Sequence, residues 1–592
     1  LNIKTNIERL RKLMKQNGID AYIISDVDPH QSEYVAEYFK MRSFISGFTG
    51  SAGTVVITMH KNGLWADGRY HIQAEEQLKG SGIHLFKQGL EGVPTYTEWL
   101  KEVLDKGSNV GFDGKVISQS TAKDIIQKFR NTGINVNDEY DFITKIWDNR
   151  GKQNFNEIYN HDTKYAGKST REKLQSVREK MKENNADYYI LGSLDNVAWL
   201  FNIRGTDVPN NPVVYAYAVV SHNKATIYLN KDKLNDKAKH TLEENKVEIK
   251  EYEKIAEDLN NITENNNVYL DESKINRYLY KALPKNTNKI TGTSIATSLK
   301  SIKNDIEIKN LKDCQIRDGV AMVKFIHWLK ENVAKEKITE IDAIKKLESF
   351  RRMNDKFKGI SFDTIAGYKD HAAMMHYKAN KESQYTLEDK SLFLIDSGGQ
   401  YLDGTTDITR TIVLGDVTEK EKSDFTLVLK SHIALDKLVF LYGATGSNID
   451  IIARKPMWEK GLDYKCGTGH GVGFFLNVHE GPQSISRQPN KIKLEENMIL
   501  TNEPGIYRNG EHGIRIENTI VVKEKFESEF GKFMDFETIS YCPIDLDAIE
   551  PALLDNEEKK WLNDYHKEVY NKLSPYLEED LQKWLKNQTR EI

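Results

Sequence analysis

Four carboxylates in this chain stand beside apolar, strand-like segments. In SLFLIDSGGQYLDGTTDITRTIVL (Ser391–Leu414), Asp396 ends one apolar run and Asp407 opens another, eleven residues later. Two antiparallel strands joined by such a glycine-containing turn can bring both carboxylates to one face. In GIRIENTIVV (Gly513–Val522), a period of two sends Ile514 and Ile516 to one side and Arg515 and Glu517 to the other. Glu503 precedes Pro504, which holds it extended. Singly, each has an ordinary explanation as a turn Asp or an exposed-face Glu. Together they repel one another and are costly to desolvate, so something cationic must hold them. Arg515 offsets one charge. Divalent cations are the simplest solution, and one imidazole would complete the set.

GTGHGVGFFLNVHEGP (Gly467–Pro482) supplies that imidazole. Its glycines let the backbone carry His470 into a crowded site. The string is not a dinucleotide GxGxxG, because Val472 takes the last glycine position, and no Lys-Ser/Thr follows to make a phosphate loop. His479 lies nine residues on, before Gly481-Pro482. A loop histidine is more often structural than a ligand, and the local glycine density moves the balance toward a ligand.

Taken in order, DSGGQYLDGTTDITR, GTGHGVGFFLNVHEGP, TNEPGIY and GIRIEN resemble the metal site of the pita-bread metallopeptidases, a family with methionine aminopeptidases, prolidases and aminopeptidases P. SGFTGSAGTVVIT…LWADGRY (Ser46–Tyr70), AWLFNIRGTDVPNNPV (Ala198–Val213) and SFDTIAGY…HY (Ser361–Tyr377) resemble the three domains of the cytosolic-type Xaa-Pro aminopeptidases, so the likeness covers nearly the whole chain. It implies two divalent metal ions on Asp396, Asp407, His470, Glu503 and Glu517. Asp407 and Glu517 would bridge them, Asp396 would complete one, and His470 with Glu503 the other. A mostly hard ligand set suits Mn²⁺, with Co²⁺ and Zn²⁺ as alternatives. The resemblance also implies Glu503 as proton acceptor, His376 and His479 as catalytic groups, and Arg69, His376, His470 and His479 as substrate contacts. Arg515 would orient Asp396. Cys466 departs from the pattern, standing where many relatives carry a histidine. The implied activity is metal-dependent release of one amino acid from peptides with proline second. The alternatives are an X-Pro dipeptidase and an inactive pita-bread peptide-binding module, which five intact ligands disfavour.

The elements that must position these residues read as α/β (α+β): two creatinase-like N-terminal α/β domains (1–150 and 151–304), a pita-bread metallopeptidase domain (305–545) and a C-terminal helical extension (546–592). A helix at Ile7–Gln16, a strand at Asp20–Ser25 and a hairpin at Gly53–Met59 and Gly63–Ala66 are echoed by a helix at Thr170–Asn184, a segment Ala186–Phe201 and Val213–Leu229. The Lys/Glu/Asn-rich stretch 231–267 reads as solvated helix and loops. A long amphipathic helix spans Ile306–Val333, and Trp561–Leu585 is helical with a restart at Ser574-Pro575. That last segment either caps the core or forms a dimer surface, and the core is favoured.

Composition narrows the classes. The 592 residues are 39% hydrophobic and 29% charged, with 84 Lys plus Arg against 88 Asp plus Glu and a net charge of −4. That gives no case for nucleic acid as a partner. The longest apolar run, Pro212–Val220, falls well short of the ~20 residues that span a bilayer. Cys314, Cys466 and Cys542 are far apart without a CxxC pair, which points to a reducing compartment. The expectation is therefore a cytoplasmic enzyme, a homodimer through its catalytic domain, acting on N-terminal X-Pro peptides. The start at Leu1 without a Met leaves a vacuolar or secreted pool open.

Overall fold

The computed structural model describes residues 2–592. The chain forms two compact units, 1–163 with 168–299 and 164–167 with 300–592.

The first unit holds two six-stranded sheets built on one plan. One runs His84–Lys87, Asn62–Ala66, Thr54–Thr58, Ala21–Ser25, Asn109–Gly111, Asn135–Asn137; the other runs Val247–Glu251, Ala225–Leu229, Tyr217–Ser221, Tyr188–Leu191, Asn267–Leu270, Asn288–Thr291. In both, the central three strands are antiparallel and the outer pairings parallel. The duplication read from the sequence is present, strand for strand. The opening helix, Ile3–Gln16, buries Ile7, Leu10 and Met14 and stops before Gly18, whose φ of +66° suits a residue without a Cβ. Its counterpart, Thr170–Glu183, starts in a capping box of Ser169 and Glu172. The Lys/Glu/Asn-rich stretch differs from its reading: besides the helix Asp236–Glu244 it contains the strand Val247–Glu251. That strand is a sheet edge, where Glu248, Lys250 and Glu251 discourage further pairing.

The second unit begins with the helix Asp305–Asn332, started by an Asn304–Glu307 capping box. It buries Gln315, Asp318 and Cys314 as well as Leu311, Met322, Phe325 and Leu329, more of its circumference than an amphipathic stripe requires. Ile365–Tyr368, Leu392–Ser397 and Ile408–Val413 form one antiparallel sheet. A six-stranded sheet contains Gly469–Gly471, Glu480–Ile485, Ile499–Asn502 and Asn518–Ser528, and Gly505–Arg508 pairs separately with His512–Arg515. At the C-terminus, helices Asn556–Leu573 and Glu579–Gln588 flank a 3₁₀ turn at Ser574–Tyr576, so the restart comes later than Pro575. Leu562, Val569, Leu573 and Leu585 are fully buried in a core shared with Val323, Ile514 and Ile516. Burial of each such side chain contributes about 1.5–3 kcal/mol, and the core-capping role is the one observed.

Candidate metal centre

Asp396 and Asp407 reach the site by a longer route than one turn. The Leu392–Ser397 and Ile408–Val413 strands are antiparallel, with Asp396 opposite Thr409, but the connection makes two further short strands, Gly399–Tyr401 and Gly404–Thr405. Gly398 begins that excursion at close quarters: a Cβ there would lie 1.9 Å from the Thr406 carbonyl oxygen. Glu517 sits where the chain leaves the His512–Arg515 strand and enters Asn518–Ser528. Its N–H donates to the Thr409 carbonyl (3.2 Å) and its Oε2 accepts from Thr409 Oγ1 (2.7 Å). The alternation expected across GIRIEN is real, yet both faces are interior: Arg515 and Glu517 are as buried as Ile514 and Ile516.

His470 Nδ1 donates to the Gly471 carbonyl (2.9 Å). Because a carbonyl only accepts, Nε2 is the nitrogen turned to the acids, 3.3 Å from Asp407 Oδ2 and 3.5 Å from Glu503 Oε1; it carries a proton while it faces them alone and would offer its lone pair once that proton is replaced by a cation. Glu503 is held through its N–H to the Thr468 carbonyl (2.8 Å), and Thr501 Oγ1 donates to its Oε1 (3.1 Å). Single ligand atoms of Asp407, His470 and Glu517 lie within 4.8 Å of one another. Arg515 donates to Thr409 Oγ1 (3.1 Å), the Tyr507 hydroxyl (2.8 Å) and Asp396 Oδ2 (2.5 Å). The other Asp396 oxygen, Oδ1, is buried with no hydrogen-bond partner among the described residues.

The electrostatics follow from this crowding. Burial, reinforced by Asp407 and Glu503, pushes the Asp396 carboxyl up to about 6 against the pull of Arg515. Burial also raises Glu503, with Asp407 adding to it, and raises Glu517 strongly, with Asp407, Asp396 and Glu503 adding to it. For His470, burial opposes the charged form, but the hydrogen bond to Asp407 and the charge of Glu503 outweigh it and lift the ring to about 9. One guanidinium does not balance four acids. An orphaned carboxylate oxygen, mutual repulsion, and oxygen and imidazole donors converging within a few ångströms fit divalent cations.

The remaining expected residues divide. His479 stands edge-on to His470, ring centroids 4.2 Å apart at 81°. His376 is half-buried, just after a 3₁₀ turn at Lys369–Ala373 that packs on the Leu392–Ser397 and His512–Arg515 strands. Arg69 belongs to the first unit, where Asp67 grips it through Nε (2.9 Å) and Nη2 (2.8 Å).

Two residues of consequence were not singled out from the sequence. Glu340, fully buried, accepts from the N–H groups of Tyr368 and Tyr385 (2.9 Å each), from the Tyr377 hydroxyl (3.1 Å) and from His371 Nδ1 (2.9 Å), fixing the segment that carries His376. Arg410 spans the centre and the C-terminal helices, donating to the Glu517 carbonyl (2.6 Å), Asn518 Oδ1 (2.7 Å) and the Tyr565 hydroxyl (2.8 Å). An Arg inside the apolar strand ITRTIV was the available signal for it.

Comparison with known proteins places this geometry in a family. Residues 309–524 match the model of metallopeptidase family M24, 532–592 that of the C-terminal region of peptidase M24, and 6–139 and 149–307 match two models of the creatinase/prolidase N-terminal domain. The chain is 41% identical to a probable Xaa-Pro aminopeptidase P of Talaromyces marneffei, over 99% of this chain and 92% of the relative. The crystal structure of a Caenorhabditis elegans X-prolyl aminopeptidase, described as a cytosolic enzyme with a di-nuclear active site, superposes with a TM-score of 0.96 at 33% identity, covering 100% of both chains. An Xaa-Pro dipeptidase from Bacillus anthracis superposes with a TM-score of 0.51 at 25% identity, covering 64% of this chain and 99% of its own. With its two creatinase-type N-terminal domains and the acid cluster set in the region that follows them, the chain belongs to metallopeptidase family M24.

Proposed function

We propose that this protein is a dinuclear, metal-dependent aminopeptidase that hydrolyses the N-terminal X-Pro bond and releases one amino acid. The observation that carries this reading is the buried acid–imidazole cluster, whose repulsion one arginine does not relieve. Similarity along the full length to proteins named as Xaa-Pro aminopeptidases supports it over the dipeptidase alternative, whose solved example covers 64% of the chain. For this reading we divide the chain at 1–150, 151–304, 305–545 and 546–592; the two like sheets and the C-terminal helices support that division.

Asp396, Asp407, His470, Glu503 and Glu517 would hold the two cations, Mn²⁺ being the ion best suited to four carboxylates and one imidazole. Such ions, when bound, polarise a carbonyl and make water a better acid. Glu503, its proton affinity raised by burial, takes the proton of the attacking water. Arg515 keeps Asp396 ionised and oriented. Proline changes what the site must do, because its peptide nitrogen carries no hydrogen and offers no donor to grip. His479, beside His470, and His376 are the donors we assign to the reacting carbonyl and to the nitrogen that departs. Arg69 is assigned to substrate binding by resemblance alone.

Among the described residues no helix is long and apolar enough to cross a membrane. A cytoplasmic setting and a homodimer through the catalytic region belong to the same proposal. Exposed Leu441, Tyr442, Phe526 and Phe530, grouped around the hairpin Asn518–Thr538, are the apolar surface that supports the dimer.

The test is release of free amino acid from X-Pro-Pro, X-Ala-Pro and the dipeptide X-Pro, each with Mn²⁺ and with chelator. Metal-dependent release from X-Pro-Pro alone is expected. Release from X-Ala-Pro as well removes the proline claim, release from X-Pro alone makes it a dipeptidase, and none from any peptide makes it a binding module.

A further inference from the structure

Two lysines at the start of the second unit are buried almost completely. The side chains of Lys300 and Lys303 are 2% and 1% exposed, and both engage one carboxylate, Glu480, itself 1% exposed. Lys300 Nζ lies 2.9 Å from Glu480 Oε2, and Lys303 Nζ binds Oε1 while donating also to the Lys300 carbonyl (3.0 Å). The segment that carries them is fixed by its backbone. The Lys303 N–H donates to the Asn497 carbonyl (3.1 Å), and Ile302 bridges Met498, one residue before the Ile499–Asn502 strand that leads to Glu503.

Burying three charges is expensive, and a hydrophobic replacement of similar volume is often neutral or better, so the cluster is not explained by stability alone. Its position supplies another reason. Glu480 follows His479 and pairs across the sheet with Gly471, which follows His470. The approach is so close that a Cβ on Gly471 would lie 2.0 Å from the Glu480 carbonyl oxygen. Register is irregular at this point, shifting between His470 and Gly471, so the ladder does not itself fix the pair. Each histidine is therefore one residue from a clamped, paired position, and their rings meet at 4.2 Å.

We propose that Lys300 and Lys303 are positioning residues that hold Glu480, and through it set the mutual placement of His470 and His479 for the reaction. The proposal rests on the role assigned to His479 above. Its consequence is a separation of activity from folding. Lys300→Met leaves Glu480 paired with Lys303, and the triple replacement Lys300→Met/Lys303→Met/Glu480→Met removes the three charges of the cluster together.

The experiment compares these two variants, Glu480→Gln and His479→Ala with the full-length metal-loaded protein on an X-Pro-Pro peptide. It reads kcat and KM separately, with bound metal and melting temperature measured alongside. We expect Glu480→Gln to lower both melting temperature and kcat. Lys300→Met and the triple variant should melt near the parent with full metal, yet show kcat reduced by about tenfold or more and KM within about twofold. Parent-like kcat in either well-folded variant overturns the proposal, because the clamp would then only balance charge. If the triple variant does not fold, Lys300→Met alone decides. Parent-like kcat in His479→Ala overturns the assignment of His479 instead, a result that the lysine variants cannot produce.

Discussion

Metal removal should make the second unit less stable as pH rises, because the buried acids and His470 all hold protons more tightly in the folded protein. Asp396 is displaced upward from 3.8 to about 6, so between those values the folded protein binds a proton that the unfolded chain has released. Stability therefore falls as pH climbs through that interval, and the full penalty, about 3 kcal/mol, applies above pH 6. His470 acts in the same direction over the next interval. Raised from 6.5 to about 9, it contributes stability that is complete below pH 6.5 and lost as pH rises through 9, again about 3 kcal/mol. The two do not add, because Asp407 and Glu503 act on both groups. A loss of about 3 kcal/mol between pH 5 and pH 8 corresponds to roughly 5 °C in melting temperature for a unit of this size. The assay is thermal unfolding of chelated and Mn²⁺-loaded protein at pH 5, 6, 7 and 8, followed by tryptophan fluorescence; Trp328, Trp458, Trp561 and Trp584 all report from the second unit. Bound cations hold the acids ionised, so the loaded protein should not show this decline. A metal-free protein whose stability is flat or rises from pH 5 to 8, or a loaded one that falls in parallel with it, would refute the argument that repulsion among these acids awaits a cation.

Three further outcomes are expected. Glu503→Gln removes the group proposed as proton acceptor and should lower kcat by about 10²–10⁴-fold, measured on an X-Pro-Pro peptide, without abolishing folding. Arg515→Met strips Asp396 of its hydrogen-bonded guanidinium and should weaken metal binding by about 10–100-fold, read by competition with a chromogenic chelator. Tyr565→Phe removes one acceptor from the buried Arg410 and should cost about 1–3 kcal/mol in denaturant unfolding, with kcat close to that of the parent.

The acids of the centre were legible because they interrupt apolar runs: Asp396 follows FLI, and Glu517 follows an alternating segment whose register is readable by eye. The duplicated sheets were legible for a similar reason, since strand and helix periods recur in the same order. Lys300, Lys303 and Glu340 were not. Each stands among polar neighbours that look like solvated helix ends, and each is buried only because a partner tens of residues away closes over it: Glu480 lies 177 residues from Lys303, and His371 lies 31 from Glu340. The strand Val247–Glu251 escaped for the opposite reason. As an edge it needs only Val247 and Ile249 against the core, too weak a pattern to stand out in a stretch rich in Lys and Glu.

The acids and the imidazole do not share one sheet. Asp396 lies one residue before the end of a strand of the three-stranded sheet, His470 lies in the six-stranded one, and Glu503 and Glu517 occupy the passages between that sheet and the two-stranded ribbon Gly505–Arg508/His512–Arg515. An ion bound there works mechanically as a rivet through a seam where three sheets abut. Without it the seam is held by the hydrogen bonds of Thr409, Arg410 and Arg515 and by the backbone bond between Glu517 and Thr409, so the same atoms that ready the chain for chemistry also govern how tightly these sheets are fastened.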